Sequence, residues 1–217
     1  MIKYRHLFVF TALDLNQLKL RTLHIIVYVA LCNCSFAQSS ISVEKYTTLE
    51  TGKNLSVMPL VSFESKRGWH AQARYNYEEL QTASLHVGRS FSKTGDVSWQ
   101  FTPLAGIVAG KLNGFSIGLN VDMECNGFFG SSASQYVMSY RNSLQNFFYN
   151  WSEAGYNISD HVYTGLSLQY TLQPGYQNIE PGILAGVNVK NISFPCYVFN
   201  LFRSGTYVVM GISFSLQ

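Results

Sequence analysis

Residues 68–78 read Gly-Trp-His-Ala-Gln-Ala-Arg-Tyr-Asn-Tyr-Glu. Trp69, Ala71, Ala73, Tyr75 and Tyr77 take the odd positions, and His70, Gln72, Arg74, Asn76 and Glu78 the even ones. A strand sends successive side chains to opposite faces, whereas a helix would mix the two sets. The stretch is therefore a strand with one apolar and one polar face.

The same alternation runs outward from it in both directions. Ala83, Leu85 and Val87 oppose Ser84, His86 and Gly88. Val97, Trp99, Phe101, Pro103 and Ala105 oppose Ser98, Gln100 and Thr102. Phe115, Ile117, Leu119, Val121 and Met123 oppose Ser116, Gly118, Asn120, Asp122 and Glu124. Val162, Thr164, Leu166, Leu168 and Tyr170 oppose Gly165, Ser167 and Gln169, and Val208, Met210, Ile212, Phe214 and Leu216 oppose Gly211, Ser213 and Ser215. Turn-forming groups such as Lys93-Thr94-Gly95-Asp96, Cys125-Asn126-Gly127 and Pro174-Gly175 separate these runs and supply the positive φ that tight hairpins require. The segmentation predicts twelve strands, at 41–50, 54–64, 68–78, 81–92, 96–110, 114–124, 128–140, 146–157, 161–172, 178–189, 191–202 and 205–216. Two of them break the rule. Val137 stands among polar positions in 128–140, and Glu153 shares a face with Tyr149 and Trp151 in 146–157; a bulge would be needed to shift the parity.

Composition agrees with a strand-rich chain. Of the 217 residues only 12% are charged and 15% are aromatic, with 17 Gly, 15 Phe and 14 Tyr. Half the ordinary share of charge excludes coiled coils and disordered tails.

Residues 1–37 differ from the rest. Lys19 and Arg21 precede the apolar run Leu23–Leu31, and Ser35-Phe36-Ala37 follows as a small-x-small site. This is the pattern of a secretory signal peptide, too short in its apolar core for a transmembrane helix. The expected domains are a signal peptide, 1–37, and one β-domain, 38–217. The leader carries Lys3, Arg5, Lys19 and Arg21 against Asp14, so the remainder holds 11 of the 15 basic and 11 of the 12 acidic residues. No basic patch remains to favour nucleic acid. Cys125 and Cys196 stay in the exported part, too few for a disulfide framework or a metal site, and read as single buried thiols.

An amphipathic sheet can turn either face outward. A soluble sandwich or small barrel hides the apolar face, and a membrane barrel hides the polar one. Three features favour the second. Charges such as Lys53, Lys66, Arg67, Lys93, Asp96, Lys111 and Arg203 gather at turns. Aromatics (Trp69, Tyr77, Trp99, Phe115, Tyr140) gather near segment ends, as interfacial girdles do. The segments also match the length of a tilted spanning strand, about ten residues. The fold class expected is all-β, a transmembrane antiparallel up-and-down barrel of about twelve strands with short loops.

The block GWHAQARYNYEELQTASLHVGRSFS at 68–92, with FFYNWSEAGY at 147–156 and YVVMGISFSL at 207–216, resembles uncharacterised Gram-negative outer-membrane β-barrel proteins. That resemblance implies a roughly twelve-stranded barrel in the cell outer membrane, with outer-membrane lipid and the barrel-assembly machinery as partners. It brings no activity. The chain ends Phe-Ser-Leu-Gln rather than on the aromatic residue usual in such barrels.

The inward face is then where function resides. Its lumen-lining candidates are His70, Gln72, Arg74, Asn76, Glu78, His86, Asn120, Asp122 and Glu124, with Gln100, Gln135, Arg141, Asn150, Gln169, Glu180, Asn188 and Lys190 as further inward positions. Acids and bases are mixed there, which predicts weak selectivity by charge. Arg74 with Glu78, and Asp122 with Glu124, read either as opposed charges at a constriction or as an internal ion pair closing the lumen. No GxSxG or H-E-x-x-H string occurs, and no cofactor or metal is expected. Connections are short, without a plug or a long constriction loop. About twelve strands enclose more than the eight that side chains alone fill. These readings favour a small passive pore for polar solutes. The alternatives are a structural or interaction barrel with a filled lumen, and a lipid-modifying enzyme using His70, His86 or His161 with a serine.

Overall fold

The computed structural model describes residues 39–50, 52, 55–201 and 205–216. The signal-peptide reading of residues 1–37 falls outside them, as do the turn residues Thr51, Lys53, Asn54, Arg203 and Ser204. The chain forms β1 (Ser40–Glu50), β2 (Ser56–Glu64), β3 (Trp69–Tyr75), β4 (Thr82–Arg89), β5 (Phe91–Lys93), β6 (Ser98–Gly110), β7 (Gly114–Cys125), β8 (Phe128–Ser139), β9 (Phe147–Asn157), β10 (Val162–Gln173), β11 (Tyr176–Val189), β12 (Ile192–Phe199) and β13 (Tyr207–Leu216). All pairings are antiparallel, and β1 pairs with β13 as well as with β2. Both β4 and β5 pair with β6 in unbroken register, Gly88 opposite Leu104 and Phe91 opposite Phe101. They are one stave interrupted near Pro103, a residue with no N–H to give the ladder. The result is a closed barrel of twelve staves with no edge left unpaired.

Its faces are inverted relative to a soluble protein. In β4, Thr82, Ser84 and His86 are at most 5% exposed, while Leu85 and Val87 are 51% and 58% exposed. Ile107, Phe115, Ile117, Leu166, Ile183 and Met210 also point outward and exposed. A surface this apolar belongs against hydrocarbon. Aromatic girdles bound it at both ends. Near the chain termini, Phe91 stacks on Phe101 at 5.1 Å, Trp99 lies 5.5 Å from Phe101, and Arg89 sits over Trp69 and Phe91. At the opposite end Phe115 meets Tyr140 edge-on at 4.6 Å.

The hairpins follow the turn chemistry. Asn126 and Gly127 both have positive φ, 49° and 81°, between Cys125 and Phe128, the two-residue geometry whose twist matches the strands. Close staves explain one glycine in particular. The His86 ring lies over Gly106 on the adjacent stave, and a Cβ there would also meet the Leu85 carbonyl, which cannot move aside. Gly106→Val is expected to cost at least about 3 kcal/mol and to abolish the compact, heat-modifiable band on semi-native gels.

Several details depart from the sequence reading. The strand predicted at 68–78 ends at Tyr75. Asn76 takes φ 58°, accepts a hydrogen bond from the Gln81 amide at 2.7 Å and donates to the Val57 carbonyl at 3.0 Å. The chain turns there, and Tyr77 enters the lumen instead of the girdle. Neither irregular segment contains a bulge, since β8 and β9 pair without a break from Phe128–Tyr156 to Val137–Phe147. The rule fails there because Val137, Tyr149, Trp151 and Glu153 all face inward. Asn150, expected in the lumen, faces outward beside Ser132, Ser134 and Ser152. Its amide donates to Ser132 and Ser134 at 2.8 and 2.9 Å and its carbonyl accepts from Ser152 at 2.8 Å, so these polar groups satisfy one another on the lipid side.

Lys45 is a further exception, a charge outward in the middle of β1 between Pro59 and Ile212. Its four-carbon stem lets the ammonium reach toward the interface. Cys125 and Cys196 are free and half-buried at outward positions, not buried as expected.

Candidate functional site

The interior is partly filled. One apolar cluster joins Trp151, Leu184, Tyr197, Phe199 and Val209, and a second joins Val108, Leu112, Val137 and Phe147. Beside them, among the described residues, lie two chambers. A chamber of about 280 Å³ on the side of the termini is lined by Glu44, Tyr46, Ser62, His70, Gln72, Arg74, Asn120, Asp122, Glu153 and Tyr197. One of about 300 Å³ toward the opposite end is lined by Thr48, Glu50, Tyr149, Gln169, Glu180 and Tyr207. Tyr77 and Trp151 line both and form the wall between them.

The wall is held by specific contacts. Trp151 packs on Tyr46 at 5.5 Å and edge-on to Tyr197 at 5.0 Å, and its indole N–H donates to Ser167 at 2.9 Å. Tyr77 reaches in from the connection between β3 and β4 and meets Tyr149 edge-on. The Arg74 guanidinium lies 4.7 Å above the Tyr77 ring. Arg74 in turn donates to Gln72 at 2.6 and 3.0 Å and to Gln135 at 2.7 Å, and its Nη1 stands 3.8 Å from Glu78. Arg74 is thus a fastener for the aromatic partition.

The nine sequence candidates separate into groups. His70, Gln72, Arg74, Asn120 and Asp122 meet in the chamber nearer the termini. His70 Nδ1 stands 3.6 Å from Glu64, which also accepts from Ser90 and Gln100. Glu78 is a buried ion-pair partner of Arg74 and accepts from Ser84 at 2.8 Å. Arg74 and Glu78 therefore pair side by side and do not oppose each other across a gap. Glu124 lies with Asp122 in a groove at the mouth near the termini. Asn76 serves the turn. His86 is in the wall, its Nε2 hydrogen-bonded to Ser116 Oγ. Both are about 1% exposed, and they line neither chamber. His161 is on an exposed turn between β9 and β10.

Sequence reasoning passed over Glu44, Glu50, Tyr46, Tyr77, Tyr149, Trp151, Glu153, Tyr197 and Tyr207 as lining residues. The signal that would have found most of them was the acid within each segment. Glu44, Glu50 and Glu153 mark the inward parity of β1 and β9 whatever the aromatics beside them suggest.

Comparison with solved structures bears on the fold. KdgM porin matches with a TM-score of 0.58 at 15% identity, over 81% of this chain and 99% of that one. The fold is that of a small bacterial outer-membrane porin. KdgM porin in complex with disordered oligogalacturonate matches with a TM-score of 0.57 at 16% identity, over the same 81% and 99%. NanC porin matches at 0.58 and 13%, over 80% of this chain and all of that one. No protein-family model and no curated protein matches the sequence.

Proposed function

We propose that residues 38–217 form a passive outer-membrane pore for small polar solutes, after residues 1–37 have served as the export signal. The observation that carries this reading is the pair of polar chambers arranged along the barrel, separated only by side chains. The porin fold, and oligogalacturonate in the KdgM complex, support the same reading. The apolar belt meets outer-membrane lipid, and the barrel-assembly machinery inserts the chain. His70, Gln72, Arg74, Asn120 and Asp122 line the path; Glu78 and His86 brace its wall, Asn76 its turn, and Glu124 its mouth. The reading is of a non-enzymatic channel, supported by the porin fold.

Planar-bilayer recording of the refolded, purified protein tests this. Discrete conductance steps are expected; their absence at protein amounts that insert other small porins would overturn the reading.

A further inference from the structure

Although acids and bases balance in the exported chain, the fold sorts them. Glu44, Glu50, Glu64, Glu78, Asp122, Glu124, Glu153 and Glu180 all take inward positions or line the lumen and its mouth. Among the described bases, apart from the histidines, Arg74 lines a chamber and Lys93 shares the mouth groove with Asp122 and Glu124. Lys45 and Arg89 point outward, and Lys66, Arg67, Lys93, Lys111, Arg141 and Lys190 occupy turns or strand ends. Arg74 is also neutralised by Glu78 and occupied by Gln72 and Gln135. The charges at the rim are screened by salt within about 8–10 Å, whereas carboxylates within a narrow, low-dielectric lumen are screened much less. Against the mixed lumen read from the sequence, carboxylates outnumber bases among the described lining residues.

Aromatic rings accompany the acids. Tyr46, Tyr77, Trp151 and Tyr197 stand with Glu44, Asp122 and Glu153 in one chamber, and Tyr77, Tyr149, Trp151 and Tyr207 with Glu50 and Glu180 in the other. Ring faces and carboxylates together favour ammonium and guanidinium groups, and Arg74 over Tyr77 shows a cation held on one of these rings. We propose that the pore selects cations, and that its solutes are small organic cations handed between the two chambers. The inference rests on the pore reading above. It also separates this chain from a porin that binds oligogalacturonate, a polycarboxylate that these walls would repel.

The test is the reversal potential of the refolded wild-type channel under a KCl gradient, followed by addition of spermidine or trigalacturonate. Potassium is expected to permeate at least about five times better than chloride, spermidine to interrupt the open current, and trigalacturonate to leave it unchanged. In Glu44→Gln/Glu153→Gln the permeability ratio is expected to fall by half or more. Glu180→Gln, in the other chamber, gives an independent measurement should the double variant fail to fold. A conducting channel with a ratio at or below one, or one interrupted by trigalacturonate and not by spermidine, overturns cation selection and leaves the pore standing. A ratio unmoved in every folded Gln variant overturns its assignment to the chambers. Absence of any conductance removes the pore reading, and this one with it.

Discussion

Leu119→Arg is expected to destabilise the barrel by about 2–4 kcal/mol in phospholipid vesicles, the cost of a guanidinium near the bilayer midplane. Asn120→Arg, one residue along the same strand, is expected to stay within about 1 kcal/mol of the wild type. Both positions lie midway along β7. Leu119 points outward and is 40% exposed, whereas Asn120 lines a chamber with Asp122. A new arginine at 120 meets carboxylates and water, and at 119 it meets acyl chains. Guanidinium unfolding of the two variants in vesicles checks this. If they unfold at the same denaturant concentration, the outer face is not in hydrocarbon. If the cost falls on Asn120→Arg instead, the faces are assigned the wrong way round. The inward variant carries a second readout, because a positive charge beside Asp122 should lower the cation preference of the channel.

Most of this architecture was legible because the period of two is enforced by both solvents at once. In β4, β6, β7, β10 and β13 an error of one position would put a Ser, Asn or Gln into lipid and a Leu or Ile into the lumen, so the sequence alternates cleanly. The reading failed where aromatics face inward. A Tyr or Trp ring suits an interfacial girdle and a lumen wall equally well, so Tyr149, Trp151 and Tyr77 do not report their side. A carboxylate does report it, and Glu153 in β9 was the informative residue in its segment. The outward polar set had no such signature either. Asn150 is tolerable toward lipid only because Ser132, Ser134 and Ser152 complete its hydrogen bonds from the neighbouring stave and its own, a relation visible only in the register. The sorting of charge was hidden for another reason. Net charge is blind to direction, so residues 38–217, with balanced acids and bases, can still enclose an acidic path once their lysines are sent to turns or to the outer face.

Tyr77 and Trp151 stand between the two chambers, and Trp151→Ala is expected to raise single-channel conductance about threefold or more by removing the main separation between them. The indole and the Tyr77 ring are the side chains common to both cavities, and each is fastened, Trp151 by Ser167 and the rings of Tyr46 and Tyr197, Tyr77 by Arg74. Removing the indole also takes volume from the apolar cluster around Leu184 and Phe199, at a stability cost of about 3–5 kcal/mol. Tyr77→Ala avoids that cost, because the ring hangs from a connection and belongs to neither apolar cluster. It should raise the conductance in the same direction, and Arg74→Gln should follow it by releasing the ring. Cation preference should persist in all three, since the carboxylates stay in place and Arg74→Gln removes an opposing positive charge. Unchanged conductance in Trp151→Ala and Tyr77→Ala would place the narrowest point elsewhere and sink the partition. A rise accompanied by loss of cation preference would mean that the rings, rather than Glu44, Glu153 and Glu180, discriminate among ions.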